Sequence, residues 1–197
     1  TVSAPAVTAT LSGVITSTAG SGVNGLTKAG LGILTLSGVS TNASLGGAGV
    51  TVSEGVLKSG VANALPDSTL ITVNAGAVFD LAGFGQISQQ VAGSGMITSS
   101  SGTPVLVLGG TSGTDVTTNV TGSFAGVIAG SAAVTKVGLG TQTLSGANQY
   151  TGATTAIAGT LVLSGSASST SGIAISGGTG TVLQVSDAAA ASAIVSI

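Results

Sequence analysis

Apolar and polar residues alternate along this chain in short bursts, as in Thr160-Leu161-Val162-Leu163 or in Leu34-Thr35-Leu36, and a glycine soon interrupts each one. Period-two alternation predicts β-strands that send every second side chain into a core. Helix signals are nearly absent. Strand-like segments recur around Leu36, Leu57, Leu81, Leu108, Ile128, Leu144, Leu163 and Val185, at intervals of roughly 16 to 27 residues. Such intervals suit one coil of a β-solenoid, with each coil laying its strand over the equivalent strand of the coil before. About nine rungs stacked roughly 4.8 Å apart would make a single all-β rod over residues 1–197, some 40 to 45 Å long.

Glycines punctuate the pattern where a coil must turn. "SEGVL" and "NAGAVFDL" place Gly55 and Gly76 directly before strands, and "IAGTLVL" and "SGGTGTVLQV" place Gly159 and Gly178 likewise. Positive φ or close backbone approach is the expected reason for them. Val, Ile, Leu and Ala fill a narrow core, and Ser, Thr and Asn form an uncharged skin. The last segment, "SDAAAASAIVSI", reads either as a short Ala-rich helix capped by Asp187 or as one more strand.

A longer repeat overlies the short one. "LTKAGLGILTLSG" (Leu26 to Gly38) superposes on "VTKVGLGTQTLSG" (Val134 to Gly146), matching Lys28, Gly30, Gly32, Leu36 and Gly38 with Lys136, Gly138, Gly140, Leu144 and Gly146 at one constant offset. Upstream, "LSGVI" (Leu11 to Ile15) matches "FAGVI" (Phe124 to Ile128). The chain thus divides into a first long unit over 11–123 and a second, truncated unit over 124–197.

The second copy continues as "TKVGLGTQTLSGANQYTGATT" and "AGTLVLSG", adding Asn148, Tyr150, Gly152 and Gly159 to the pattern. With these residues it resembles the autotransporter-associated β-strand repeat found in passenger regions of bacterial secreted proteins. The first copy departs after Gly38, lacking the Asn and Tyr. The resemblance implies a right-handed parallel β-helix, a secreted or cell-surface setting, and a role as rod, stalk or fibre, with an adhesin-like binding module as the alternative.

Composition removes most chemistry. Only 4% of the 197 residues are charged and 2% aromatic, against 43% hydrophobic, with three Lys, no Arg and a net charge of -2. Nothing there neutralises a run of phosphates, so nucleic acid is not an expected partner. Mean hydropathy is +0.70, yet no apolar run approaches the roughly 18 residues of a spanning helix, and membrane insertion by this segment is not expected. The start, "TVSAPAVTAT", has no basic region followed by an apolar core, so it does not read as a signal peptide.

Without His or Cys, neither a Ser-His-Asp or Cys-His constellation nor an imidazole or thiolate metal site can be assembled. The five acids Glu54, Asp67, Asp80, Asp115 and Asp187 are scattered, whereas a glycosidase holds two about 5 to 9 Å apart; they read as turn or solvated positions. "GLGILTLSG" and "GGAGVTVSEG" have no Lys-Ser/Thr ending and no helix to follow, so they are not phosphate loops. "GGTGTVLQ" lacks the Asp of a calcium-binding nonapeptide. Thr-x-Thr rows are too few for an extended ice-ordering face. The expected protein has no enzyme activity, cofactor or metal. Lys28 and Lys136 read as corner residues that cap carbonyls, Tyr150 as packed at a corner, and the loops Ser40 to Gly49 and Gly110 to Asn119 as the places where a glycan or receptor would bind. The chain's own ends are the other expected contact, docking head to tail with a second copy.

Overall fold

The computed structural model describes residues 7–15, 25–40, 49–167, 169–186 and 195–196, and among these there is no helix. Strands numbered β1 to β20 along the chain pair only in parallel and form three stacked sheets, the faces of one solenoid. Face A stacks β1 (Thr8–Leu11), β3 (Ile33–Leu36), β5 (Val56–Ser59), β7 (Val78–Asp80), β10 (Met96–Thr98) and β13 (Val127–Ile128). Face B stacks β2 (Leu26–Lys28), β4 (Val50–Val52), β6 (Leu70–Val73), β9 (Gln90–Gly93), β12 (Gly122–Phe124), β15 (Thr141–Leu144), β17 (Thr160–Leu163) and β19 (Val182–Val185). Face C stacks β8 (Gln86–Ser88), β11 (Val105–Leu108), β14 (Ala133–Lys136), β16 (Thr154–Ala156), β18 (Ile173–Ile175) and β20 (Val195–Ser196). The eight strands of face B count about eight turns, against the nine expected.

Register keeps like over like. On face B, Lys28, Val52, Val73, Gly93, Phe124, Leu144, Leu163 and Val185 form one column. On face A, Leu34, Leu57, Phe79, Ile97 and Ile128 form another. Most of these apolar side chains are fully buried and meet the inward side of face C at Leu106, Leu108 and Val134. The core is continuous because a one-residue slip in any strand would turn its whole apolar set outward.

The faces are not used evenly. Lower coils alternate face B and face A, with residues 60–69 crossing face C as a loop; β7 to β15 visit A, C and B in turn; upper coils alternate C and B, with residues 145–153 crossing face A as a loop. This corrects the single strand ladder read from sequence. Leu36, Leu57 and Ile128 lie on face A, Leu108 on face C, and Leu144, Leu163 and Val185 on face B, while Leu81 follows β7. The true column on face B climbs from Lys28 to Val185 in steps of roughly 19 to 24 residues, apart from one longer step between Gly93 and Phe124. Alternation carries no label of face, so strands on different faces looked equivalent.

The two long units inherit the same change. "LTKAGLGILTLSG" runs from face B to face A, whereas "VTKVGLGTQTLSG" runs from face C to face B. Leu11, on face A, likewise corresponds to Phe124, on face B. Equivalent residues of the two units therefore stand one face apart around the rod. The corner glycine before β19 is Gly180, with φ +93°, and not Gly178. Asp187 and its proposed helix lie outside the described residues, and Val195–Ser196 beyond them pair with β18.

Candidate functional site

Polar side chains concentrate at corners and where a face begins or ends. Lys136, the last residue of β14, is fully buried. Its Nζ donates to the carbonyls of Val137, Gly138 (2.8 Å) and Ala158 (3.3 Å), joining its own corner to that of the next coil. Burial pushes its pKa down to about 8, opposed by the charge of Asp115. Lys28 repeats the arrangement, donating to Ala29 (3.2 Å), Gly30 (2.7 Å) and Glu54 (3.0 Å) carbonyls. Burial lowers its pKa too, against the pull of Glu54, whose carboxylate accepts from the Gly30 N–H at 3.2 Å.

Gly30, Gly55, Gly76, Gly138 and Gly159 hold positive φ at these corners. Gly32, Gly38, Gly140, Gly146 and Gly152 instead lie where a Cβ would meet the backbone of the coil below, at 2.5 Å or closer. Leu36 and Leu144 are buried on the inward side of β3 and β15.

The long coil between Gly93 and Phe124 carries a side loop after β11, organised by Asp115. That carboxylate accepts from the N–H and hydroxyl of Thr111 (2.9 and 3.0 Å), of Thr117 (2.7 and 3.0 Å) and of Thr118 (3.0 and 2.6 Å). The Thr118 hydroxyl first, then the Thr111 N–H, hold its pKa well below the ordinary carboxylate range. The loop docks through its backbone on the Lys136 corner, where Gly138 N–H donates to the Asp115 carbonyl (2.7 Å) and Leu139 N–H to that of Thr118 (2.6 Å). A carboxylate with a depressed folded-state pKa stabilises the fold above its unfolded pKa, near 3.8, and loses that contribution as pH falls. Acid titration of unfolding should therefore show stability declining below about pH 4, and Asp115→Asn should be weaker at neutral pH with a shallower decline. Equal acid slopes for the two proteins would remove Asp115 from this role.

The other acids play separate parts. Asp80 is buried and accepts from Ala82 N–H (2.9 Å), Ser100 N–H (2.9 Å) and the Ser100 hydroxyl (2.7 Å), with Lys58 Nζ at 3.7 Å. Asp67, its pKa raised by burial, lines an open cleft of about 390 Å³ with Val39, Ser40, Asn63, Leu65, Pro66, Ser68 and Thr111. Among the described residues no three His, Cys, Asp or Glu side chains converge as metal ligands.

Side-chain amides close the faces that stop inside the rod. Below β8, Gln86 accepts from Leu65 N–H (3.2 Å) and donates to the Leu65 carbonyl (3.0 Å), while Asn63 Oδ1 accepts from Ile87 N–H (3.1 Å). Above β13, Asn148 Oδ1 accepts from Ile128 N–H and its Nδ2 donates to the Gly146 carbonyl, both at 3.0 Å. Gln142 reaches past Gly122 to the backbone of Val91, two coils away, accepting at 3.4 Å and donating at 3.1 Å. Sequence reasoning missed Gln86, Gln142 and Asp115. For Gln142 the signal was present, since it shares the inward parity of Leu144 in "TQTL". Tyr150 is buried, its hydroxyl 2.7 Å from that of Thr154.

The outermost strands at the two ends are unlike these sealed edges. At the lower end Leu11 faces inward in register with Leu36, yet Leu11 is 40% exposed where Leu36 is 2%. At the upper end Leu183 and Val185 are half-buried, although the residues beneath them, Leu161 and Leu163, are fully buried. Among the described residues nothing pairs with the outer edges of β1, β2 and β19. No helix among the described residues is long and apolar enough to cross a membrane. The loop at 41–48 lies outside the described residues, so of the two loops expected to bind a ligand only Gly110 to Asn119 is seen whole.

Residues 26–58, 134–162 and 158–179 match the family described as passenger-associated-transport-repeat. The first two matches open on the Lys28 and Lys136 strands, on different faces. No curated protein and no solved structure matches the chain.

Proposed function

Starting from a chain that carries passenger-associated-transport-repeats wound into a β-solenoid, we propose that it is the structural rod of a secreted or cell-surface bacterial protein. It acts without enzyme chemistry or cofactor, by end-to-end rung stacking in an extracellular fibre or stalk. One observation carries this reading: on the outermost described strands the inward-facing Leu11, Leu183 and Val185 stay partly exposed, while edges inside the rod are sealed by Asn63, Gln86 and Asn148. Open sheet edges with apolar ends are templates for further rungs. Electron microscopy of the purified protein tests it directly. Filaments with an axial repeat of about 40 Å are expected; separate short rods at high concentration would sink the self-assembly reading.

A second reading rests on the cleft beside Asp67, whose Ser, Thr and Asn lining over an apolar floor suits a sugar and supports an adhesin-like module. A glycan array separates the two, because a pure rod gives no signal above background. The skin of the rod also predicts its response to salt. Among the described residues one ion pair is formed, Lys58 with Asp80, so there is little for ions to screen. Thermal midpoint and protease resistance should stay level between low and high salt. A large drop on adding salt would contradict an uncharged ladder.

A further inference from the structure

The side of the rod differs from face to face. On face B the outward residues Thr27, Thr51, Thr72 and Ala92 stand over one another, a skin of small side chains. On face A the equivalent column is apolar over five rungs: Ile33, Val56, Val78, Met96 and Val127. Ile33 is 37% and Met96 39% exposed, and Val56, Val78 and Val127 are half-buried by their neighbours in the stack. One rod by itself leaves this stripe in water, and covering it is favourable. Beside it runs the second outward column of the face, Thr35, Lys58, Asp80 and Thr98. Lys58 and Asp80, 3.7 Å apart on successive rungs, are the two charged residues on the six strands of face A.

We propose that face A pairs with face A of a second copy, the rods side by side and antiparallel, related by a two-fold axis that runs along the strand direction between β5 and β7. This contact is lateral, so it goes beyond the end-to-end reading and does not depend on it.

The chemistry of the columns selects the direction. A two-fold axis along the strands lays each column on its own kind, apolar on apolar and polar on polar. An axis along the rod, which keeps the rods parallel, would instead press Val56 and Val78 against the partner's Lys58 and Asp80 and desolvate charge without a counter-charge. Charge then selects the register. With the axis between β5 and β7, Lys58 faces the partner's Asp80, Val56 the partner's Val78 and Ile33 the partner's Met96. Slid by one rung, the rods would oppose Lys58 to Lys58 in one direction and Asp80 to Asp80 in the other. Asp80 is fixed in place by Ala82 and Ser100, while the Lys58 side chain, 39% exposed, is the partner that reaches across.

Area sets the strength. About four residues by six rungs make a face of roughly 13 by 29 Å, near 380 Å², about half of the roughly 800 Å² per partner in a standard interface. The pair is therefore weak and reversible rather than a permanent dimer.

Cross-linking in mixtures tests the geometry, because the chain has no cysteine. Thr35 faces the partner's Thr98 across a sheet-to-sheet gap of about 10 Å, whereas the partner's Thr35 lies three rungs, about 14 Å, farther along. At about 1 mM protein, a bismaleimide spanning about 10 Å is expected to join Thr35→Cys chains to Thr98→Cys chains and to join neither variant to itself. Adding Lys58→Glu or Met96→Glu to both chains should cut the product at least tenfold, and adding Thr72→Glu, on face B, should leave it unchanged. Thermal midpoints check that each variant is folded. No product in the mixture would overturn the pairing. Self-linked Thr35→Cys chains, or full yield with Lys58→Glu, would overturn the antiparallel register. Rods stacked end to end keep Thr35 and Thr98 of neighbouring copies several rungs apart, so filaments alone do not give this product, and the two readings fail separately.

Discussion

Replacing Gly146 by alanine is expected to destabilise the rod by about 3 kcal/mol or more, a large effect for adding one methyl group. Gly146 is one step of a stair at the corner between faces B and A: a Cβ there would stand 1.8 Å from the Gly126 carbonyl oxygen, one on Gly165 would stand 2.0 Å from that of Gly146, and one on Gly126 would stand 2.0 Å from that of Gly95. The obstacle is backbone in the coil beneath, which cannot swing aside as a side chain would. Relief requires lengthening the rung spacing locally, and that pulls on neighbouring ladder bonds such as Ser145 N–H to the Phe124 carbonyl, 2.9 Å. Gly172→Ala is the control, since nothing lies within 4 Å of its Cβ position. Denaturant titration of both variants decides the matter: similar midpoints for the two would mean that close coil approach is not what those glycines provide.

Lys136→Met is expected to cost about 3 kcal/mol, despite removing a buried charge. The methionine fills similar volume, but the carbonyls of Val137, Gly138 and Ala158 lose their donor. Each buried acceptor left unpaired costs about 1–3 kcal/mol, and relief from ammonium desolvation returns part of the total. The pH dependence separates this account from lost packing. With its pKa lowered from 10.5 to about 8 in the folded rod, the group binds its proton more weakly folded than unfolded. Between those values the unfolded chain holds the extra proton, so this residue makes stability rise with pH from about 8 to about 10.5. The wild type should show that rise in full, and Lys136→Met should keep only the part that Lys28, its pKa also lowered by burial, supplies. A variant with unchanged stability and unchanged alkaline slope would show that the corner does not need its lysine.

Several parts of this protein were legible before any coordinate. The strands, the small-aliphatic core and the corner glycines follow from short-range pattern, because alternation, β-branching and glycine placement act through each residue's own backbone and immediate neighbours. The family resemblance rode on the same local signal, and its three matched segments cover the Lys28 and Lys136 corners and the Gly159 corner. The role of Asp115 was hidden, since its six hydrogen bonds come from Thr111, Thr117 and Thr118, ordinary members of a Thr-rich loop. Gln142 was hidden differently: its partner Val91 is 51 residues away, across a coil whose glycine leaves the gap that it fills.

By itself, then, the sequence determined that this is a parallel β-solenoid with uncharged skin and repeated glycine corners, for each of those properties is written within one coil. Only the tertiary structure decided which face each strand joins, where face A stops at β13 and face C starts at β8, and that the second long unit stands one face around from the first. The physical reason is that a strand's face depends on how many residues the chain spends rounding each preceding corner, accumulated over coils. A period-two pattern looks identical on all three faces; the pairing of strands that lie about 20 to 30 residues apart is what tells them apart.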